Sequence, residues 1–169
     1  MFDGSKSLVR LCARRARQHP PDFGNATTYA ETVTIDEINQ YAIKILEATN
    51  YRGVCEVEFK YDQRDGQYKF LEVNPRTWKW HSIAEKANAP ILISLYAHSY
   101  GLEEIVKNEY DEATFMHILT DVPTRLKMRR LKMPYNTRKE NTKYAVRDAS
   151  DWWPSFFELL YLPYFILKR

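Results

Sequence analysis

Cysteine is scarce in this chain of 169 residues: Cys12 and Cys55 are the only two. They show no CxxC spacing, which excludes a disulfide framework and points to a reducing compartment, the cytoplasm. The first seventeen residues carry Lys6, Arg10, Arg14, Arg15 and Arg17 but no apolar run of the signal-peptide kind, so export is not expected. The longest apolar stretch, 152–167, is shorter than a bilayer span. It is also broken by Pro154, Glu158 and Pro163, so no membrane span is expected. No Ser/His/Asp set, zinc-ligand spacing or glycine-rich nucleotide loop is found, and there is no internal repeat. A net charge of +3 is too small, over the whole chain, to indicate a nucleic-acid partner.

What is present is the composition of one ordinary globular domain, 44% apolar and 28% charged, with a high aromatic share of 14%. Ile35, Ile38, Tyr41, Ala42, Ile45 and Leu46 recur at helical spacing and predict an amphipathic helix, opened by a capping box of Thr34 and Glu37. Gly53 stops that pattern. Residues 54–60 then alternate, with Cys55, Val57 and Phe59 on one side and Glu56, Glu58 and Lys60 on the other, which predicts a strand. A polar stretch ending in Asp65-Gly66 leads to a second strand over 68–73, completing a hairpin. Two helices are predicted over 82–89 and 90–100, with Pro90 at a first helical position and Gly101 as the stop. Beyond them the pattern predicts a strand near 115–119, a basic helix over 123–132, a strand near 143–146 and a last helix opening at Pro154. The fold class expected is α+β, an antiparallel sheet with helices packed on one side.

The hairpin is where chemistry becomes legible. A three-residue loop of Arg64, Asp65 and Gly66 pairs Gln63 with Gln67 and sets Glu58 directly opposite Glu72. Asn74 lies diagonal to Glu58 on the same face. Like charges facing across a ladder are destabilising unless something compensates them, and Mg²⁺, which takes one or two protein carboxylates plus substrate phosphates, would do so. Arg76 follows at the same end, a guanidinium suited to a phosphate oxygen. Glutamates on a strand's outer face are usually just solvated, but Glu58, Glu72, Asn74 and Arg76 together on one face favour a site.

The run Gly53-Val54-Cys55-Glu56-Val57-Glu58-Phe59-Lys60, the Asp-Gly turn, and Phe70-Leu71-Glu72-Val73-Asn74-Pro75-Arg76 resemble the C-terminal catalytic hairpin of the ATP-grasp superfamily. Within it they are most similar to ligases related to the carbamoyl-phosphate synthase large subunit. The similarity spans about residues 20–101. It implies the C-terminal part of an ATP-grasp fold, with ATP and Mg²⁺ (or Mn²⁺) as cofactors held by Glu58, Glu72 and Asn74, and with Arg76 on phosphate or the bound acyl group. The implied function is an ATP-dependent carboxylate-amine (or thiol) ligase acting on a small carboxylate substrate through an acyl phosphate. One departure is Asn88-Ala89, where relatives more often place a glycine.

The resemblance also implies a lobe with phosphate-binding lysines ahead of this part, so a fragment completed in cis or trans is expected. The organisation expected is a basic lead-in over 1–24, the ATP-grasp catalytic part over 25–110, and an extension over 111–169. Four features remain outside this reading. Residues 125–143 hold eight Lys or Arg against Glu140 alone, more simply a solvated helix face than an RNA site. Arg14, Arg15, Arg17 and Lys6 could reach ATP, or form a charged, frayed terminus. His81 could assist acyl transfer, or be a hydrogen-bonded structural histidine. The aromatic tail with Lys168 and Arg169 is expected to pack on the sheet or another subunit, as in a homo-oligomer, rather than anchor in a membrane interface. The competing function class is a non-catalytic interaction module using the basic helix and that tail.

Overall fold

The structure, a computed structural model, describes residues 1–135, 137 and 141–168. In chain order the elements are β1 (Phe2–Asp3), β2 (Ala13–His19), β3 (Ala26–Thr32), α1 (Asp36–Ala48), β4 (Arg52–Gly53), β5 (Glu56–Asp62), β6 (Gln67–Asn74), α2 (Ile83–Lys86), α3 (Ile91–Ser99), β7 (Thr114–Met116), α4 (Ile118–Arg130), β8 (Thr142–Tyr144) and α5 (Trp153–Lys168). They fall into two compact units, one of Met1–Cys12 with Thr34–Tyr110 and one of Ala13–Val33 with Asp111–Arg169.

The first unit is built around the β5–β6 hairpin, a short β1–β4 ribbon and helices α1, α2 and α3. Its core gathers Met1, Leu8, Val9, Val54, Trp78, Ala84, Ala89 and Ile91. The N-terminus is part of that core, because the Met1 amino group is buried and donates to the Val9 carbonyl at 2.6 Å. Burial also pushes the pKa of that amino group down. Helix α1 buries Leu46 and leaves Tyr41 outside. The expected capping box does not form: Ile35, not Thr34, occupies the cap, and no side chain satisfies the first N–H groups there. After α2 the chain needs a left-handed residue to turn into α3. Asn88 supplies it with φ 55°, the job glycine does elsewhere because asparagine tolerates that conformation best among residues with a Cβ.

The second unit is a mixed four-stranded sheet in the order β2-β3-β7-β8 with α4 and α5. In place of the single antiparallel sheet expected from the sequence, the described residues form three separate sheets, and β7 and β8 run parallel. Strand β3 is central and buried from Thr27 to Thr32, so it shows no in-out alternation. Its neighbour β2 carries the arginines read from sequence as a frayed end. Arg17 is instead buried, its guanidinium donating to both Asp121 oxygens at 2.7 and 3.0 Å and lying 4.0 Å over the Tyr29 ring. Arg14 pairs with Glu31, and Lys6, in the other unit, pairs with Glu104.

Helix α4 begins at Ile118, five residues ahead of Pro123. The Thr120 and Asp121 N–H groups both donate to the His117 carbonyl and close its first turn. Its basic end leaves Arg129, Arg130 and Lys132 exposed. Asn136 and residues 138–140 of the basic segment lie outside the described residues, as does Arg169.

Candidate metal-phosphate site on the hairpin

The hairpin is held in register by its own side chains. Tyr61 and Tyr68 sit with ring centroids 5.1 Å apart, and Phe59 and Phe70 meet edge-on at 6.0 Å; such cross-strand aromatic pairs are the unit of stabilisation in a two-stranded sheet. The turn is one residue longer than the sequence reading: Asp62 pairs with Gln67, and Gly66, at φ 70°, donates its N–H to the Asp62 carbonyl at 2.9 Å. Left alone, that change would slide every pair by one and put Glu58 out of step with Glu72. A bulge absorbs it. Phe59 pairs with Phe70 and Glu58 with Glu72, so Leu71 is the extra residue and the register from Glu58 onward returns to the expected one.

Glu58 therefore does face Glu72, and Glu56 faces Asn74. The Asn74 amide nitrogen lies 2.9 Å from a Glu72 oxygen, 3.0 Å from a Glu58 oxygen and 3.4 Å from a Glu56 oxygen. An amide carries two hydrogens, so three carboxylate oxygens compete for two donors. Arg76 is brought back over the same end by a tight turn in which its N–H donates to the Asn74 carbonyl at 2.8 Å. Its exposed guanidinium donates to the Thr77 carbonyl at 3.1 Å, and its charge acts on Glu56. Among the described residues no three His, Cys, Asp or Glu side chains gather to hold a metal by themselves. The set at hand is two or three carboxylates, one amide and a nearby guanidinium.

Glu56 is the residue sequence reasoning left out of the set, although its place two residues before Glu58 put it on the same face. It is half-buried, and desolvation, followed by the charge of Glu58 and a hydrogen bond with it, pushes its carboxyl up to about 7. The folded state thus holds a proton on Glu56 that the unfolded chain, with its ordinary carboxyl, releases earlier. This contribution to stability is complete below pH about 4.5 and is lost as pH rises through about 7. Glu56→Gln is expected to flatten the fall in melting temperature between those values. At pH 8 it should gain about 1 kcal/mol, a figure reduced for the solvent that still reaches the site. Thermal melts of both proteins across that range check it; parallel pH profiles would contradict it.

Immediately after Arg76 the chain enters a cavity of about 390 Å³ lined by Thr77, Trp78, His81, Glu85, Asn88 and Ile91, among others. Trp78 is buried, and its indole N–H has no hydrogen-bond partner among the described residues. The His81 Nδ1 lies 2.8 Å from the Trp78 carbonyl. Because a carbonyl only accepts, Nδ1 carries the hydrogen, and the neutral ring keeps Nε2 as an acceptor. The hydrogen-bonded, structural reading of His81 is the one this geometry favours.

The stretch of chain that carries the hairpin is similar to known proteins. The family described as "Carbamoyl-phosphate synthase L chain, ATP binding domain" matches residues 9–98, more than half of the chain. Among curated proteins, the chain is 38% identical over 77 residues to the carbamoyl phosphate synthase large chain of Thermoplasma acidophilum, covering 44% of this chain and 7% of that protein. It is 32% identical over 114 residues to the same enzyme of Methanothermobacter thermautotrophicus, covering 59% of this chain and 11% of that protein. It is 31% identical over 102 residues to acetyl-CoA carboxylase 1 of rice, Oryza sativa subsp. japonica, covering 57% and 4% respectively. The chain thus spans a small part of each of these relatives. With the family matched over most of the hairpin-bearing half, the chain belongs to the carbamoyl-phosphate synthase L chain ATP-binding-domain family and is a relative of the ATP-grasp carboxylate-amine ligases.

Proposed function

We propose that the chain is the C-terminal, metal-binding part of an ATP-dependent carboxylate-amine or carboxylate-thiol ligase. In this reading residues 25–110 form its catalytic part, residues 1–24 lead into it, and residues 111–169 form an extension. The observation that carries the reading is the surplus of acceptors at the hairpin's end, where three carboxylate oxygens surround one amide nitrogen. That arrangement repels itself and attracts a hard cation. Glu58 and Glu72 would hold Mg²⁺ or Mn²⁺ together with ATP phosphate oxygens, the mixed ligand set Mg²⁺ takes. Asn74 would join them through its oxygen, since which way an amide faces follows from its partners. When bound, the ion supplies charge neutralisation and Lewis acidity at the phosphates.

The chain's own part is positioning. Arg76 offers a planar fork of donors to the phosphoryl group in transfer. A carboxylate oxygen of the substrate attacks the γ-phosphorus, the bond to the ADP oxygen breaks, and an acyl phosphate results. The amine or thiol then attacks the acyl carbon and inorganic phosphate leaves. The cavity beginning at Thr77 is roomy enough for a small carboxylate. A second lobe, in cis or in trans, would cover the nucleotide, and the cytoplasm is the compartment proposed.

The test is ATP turnover by the purified chain alone. We expect it not to exceed background, because clamping and orienting the phosphates needs both lobes. Robust hydrolysis that vanishes in Glu72→Ala would show that the chain is complete as it stands.

A further inference from the structure

Helix α5 is turned inside out. At 100° per residue, Ser155, Glu158 and Leu162 share one side, and these are the residues the helix withdraws from solvent; Glu158 is 5% exposed, and one of its oxygens lies 3.4 Å from the Leu119 N–H at the start of α4. The rest of the circumference carries Trp153, Phe156, Phe157, Leu160, Tyr161 and Tyr164, each roughly half exposed, and Leu167, 88% exposed. Between Trp153 and Leu167 the sequence holds one charged residue, Glu158, and it is the buried one. The helix therefore packs on α4 by the side that carries Ser155 and Glu158 and shows water an arc of aromatic and aliphatic side chains, of the kind that marks an interaction surface.

Charge and shape say what covers it. The unit that contains α5 holds fourteen Lys and Arg against nine Asp and Glu, whereas the other unit holds eleven against thirteen. The exposed Arg129, Arg130 and Lys132 close the helix on which α5 lies, with Leu126 and Leu131 exposed among them. A second copy docking through this face would set that positive surplus against itself. An anionic surface would be attracted by it. Tryptophan and tyrosine mixed with leucine and phenylalanine is the composition of helices that lie at the boundary between headgroups and acyl chains. Sixteen residues make a helix of about 24 Å, short of a bilayer core of roughly 30 Å, and no helix among the described residues is long and apolar enough to cross a membrane. We infer that α5 docks in the plane of an anionic phospholipid membrane, aromatic arc inward, with the unit's exposed basic residues drawn to the headgroup phosphates.

The experiment is co-sedimentation of the full chain with vesicles of phosphatidylcholine alone and of phosphatidylcholine mixed with phosphatidylglycerol. Binding should be at least about tenfold tighter with the anionic lipid and weaken as salt is raised, since each basic residue near such a surface contributes about fivefold. The double variant Trp153→Glu, Phe157→Glu should lose binding and keep its melting temperature, because both side chains point away from α4's polar contact. If that variant melts early, quenching of the unaltered chain's tryptophan fluorescence by brominated phosphatidylglycerol decides instead: quenching supports the inference, and its absence overturns it. Equal binding to both vesicles, no binding to either, or concentration-dependent dimers that the double variant dissolves without lipid would each overturn it, the last in favour of a second copy.

Discussion

Asp121→Ala will lower the stability of the unit around α4 by about 3–5 kcal/mol, the cost of removing one partner from a buried ion pair. Asp121 is fully buried, and both of its oxygens receive the Arg17 guanidinium while Oδ1 also accepts from Thr28 at 3.0 Å. Strand β2 at the sheet edge and helix α4 are joined at that carboxylate, and its loss takes the Asp121 charge away from a guanidinium that is 1% exposed. At roughly 2–4 °C per kcal/mol for a chain of this size, the melting temperature should fall by on the order of 10 °C. The double replacement Arg17→Met, Asp121→Leu should recover most of it, because apolar side chains of similar volume often serve as well as a buried pair. A double variant as unstable as Asp121→Ala would show that the strand and helix depend on the charges themselves.

Arg76→Lys, placed in a protein that also carries the second lobe, is expected to cut turnover by at least tenfold. Lysine keeps the charge and loses the planar fork, and one charge-assisted contact to a phosphoryl oxygen is worth about 1.5 kcal/mol or more. Glu72→Ala should cost more, on the order of a hundredfold, since it removes a carboxylate that would bind the ion directly. The split between the two is informative: Arg76→Lys should lower kcat with little change in the metal concentration needed, whereas Glu72→Ala should raise that concentration. Unchanged kinetics in either would remove that residue from the site.

The hairpin was legible because its signals are local. Alternation over residues 54–60, an Asp-Gly turn and a second apolar run need no knowledge of the rest of the chain, and the pairing of Glu58 with Glu72 follows from them. Even so, the right pairing came from a turn one residue too short, offset by a bulge at Leu71 that nothing in the residue types announces. Strands β2 and β3 were missed for a different reason. Arg14, Arg15 and Arg17 make β2 read as a charged tail, and their partners Glu31 and Asp121 lie far along the chain. Strand β3, buried along its length with Thr27, Thr28 and Thr32 among its residues, offers neither alternation nor an aliphatic run. Pro123 misled the start of α4, since a proline that often opens a helix here sits inside one. The tail was expected to hide its aromatics, and α5 hides Glu158 instead, because that carboxylate caps the first turn of α4.

The claim on which the rest depends is that the glutamates on the hairpin face repel one another until a divalent cation joins them. Melting the chain in EDTA and in millimolar Mg²⁺, without nucleotide, measures it most directly. A ligand at tenfold excess over its dissociation constant adds about 1.4 kcal/mol to the folded state, so the melting temperature should rise by several degrees at roughly 2–4 °C per kcal/mol. Glu58→Gln should melt higher than the unaltered chain in EDTA, because Glu56 and Glu72 lose their like-charged neighbour, and should gain less from Mg²⁺. A chain whose melting temperature ignores Mg²⁺, or a Glu58→Gln variant that gains as much from the ion as the unaltered chain does, would contradict the account.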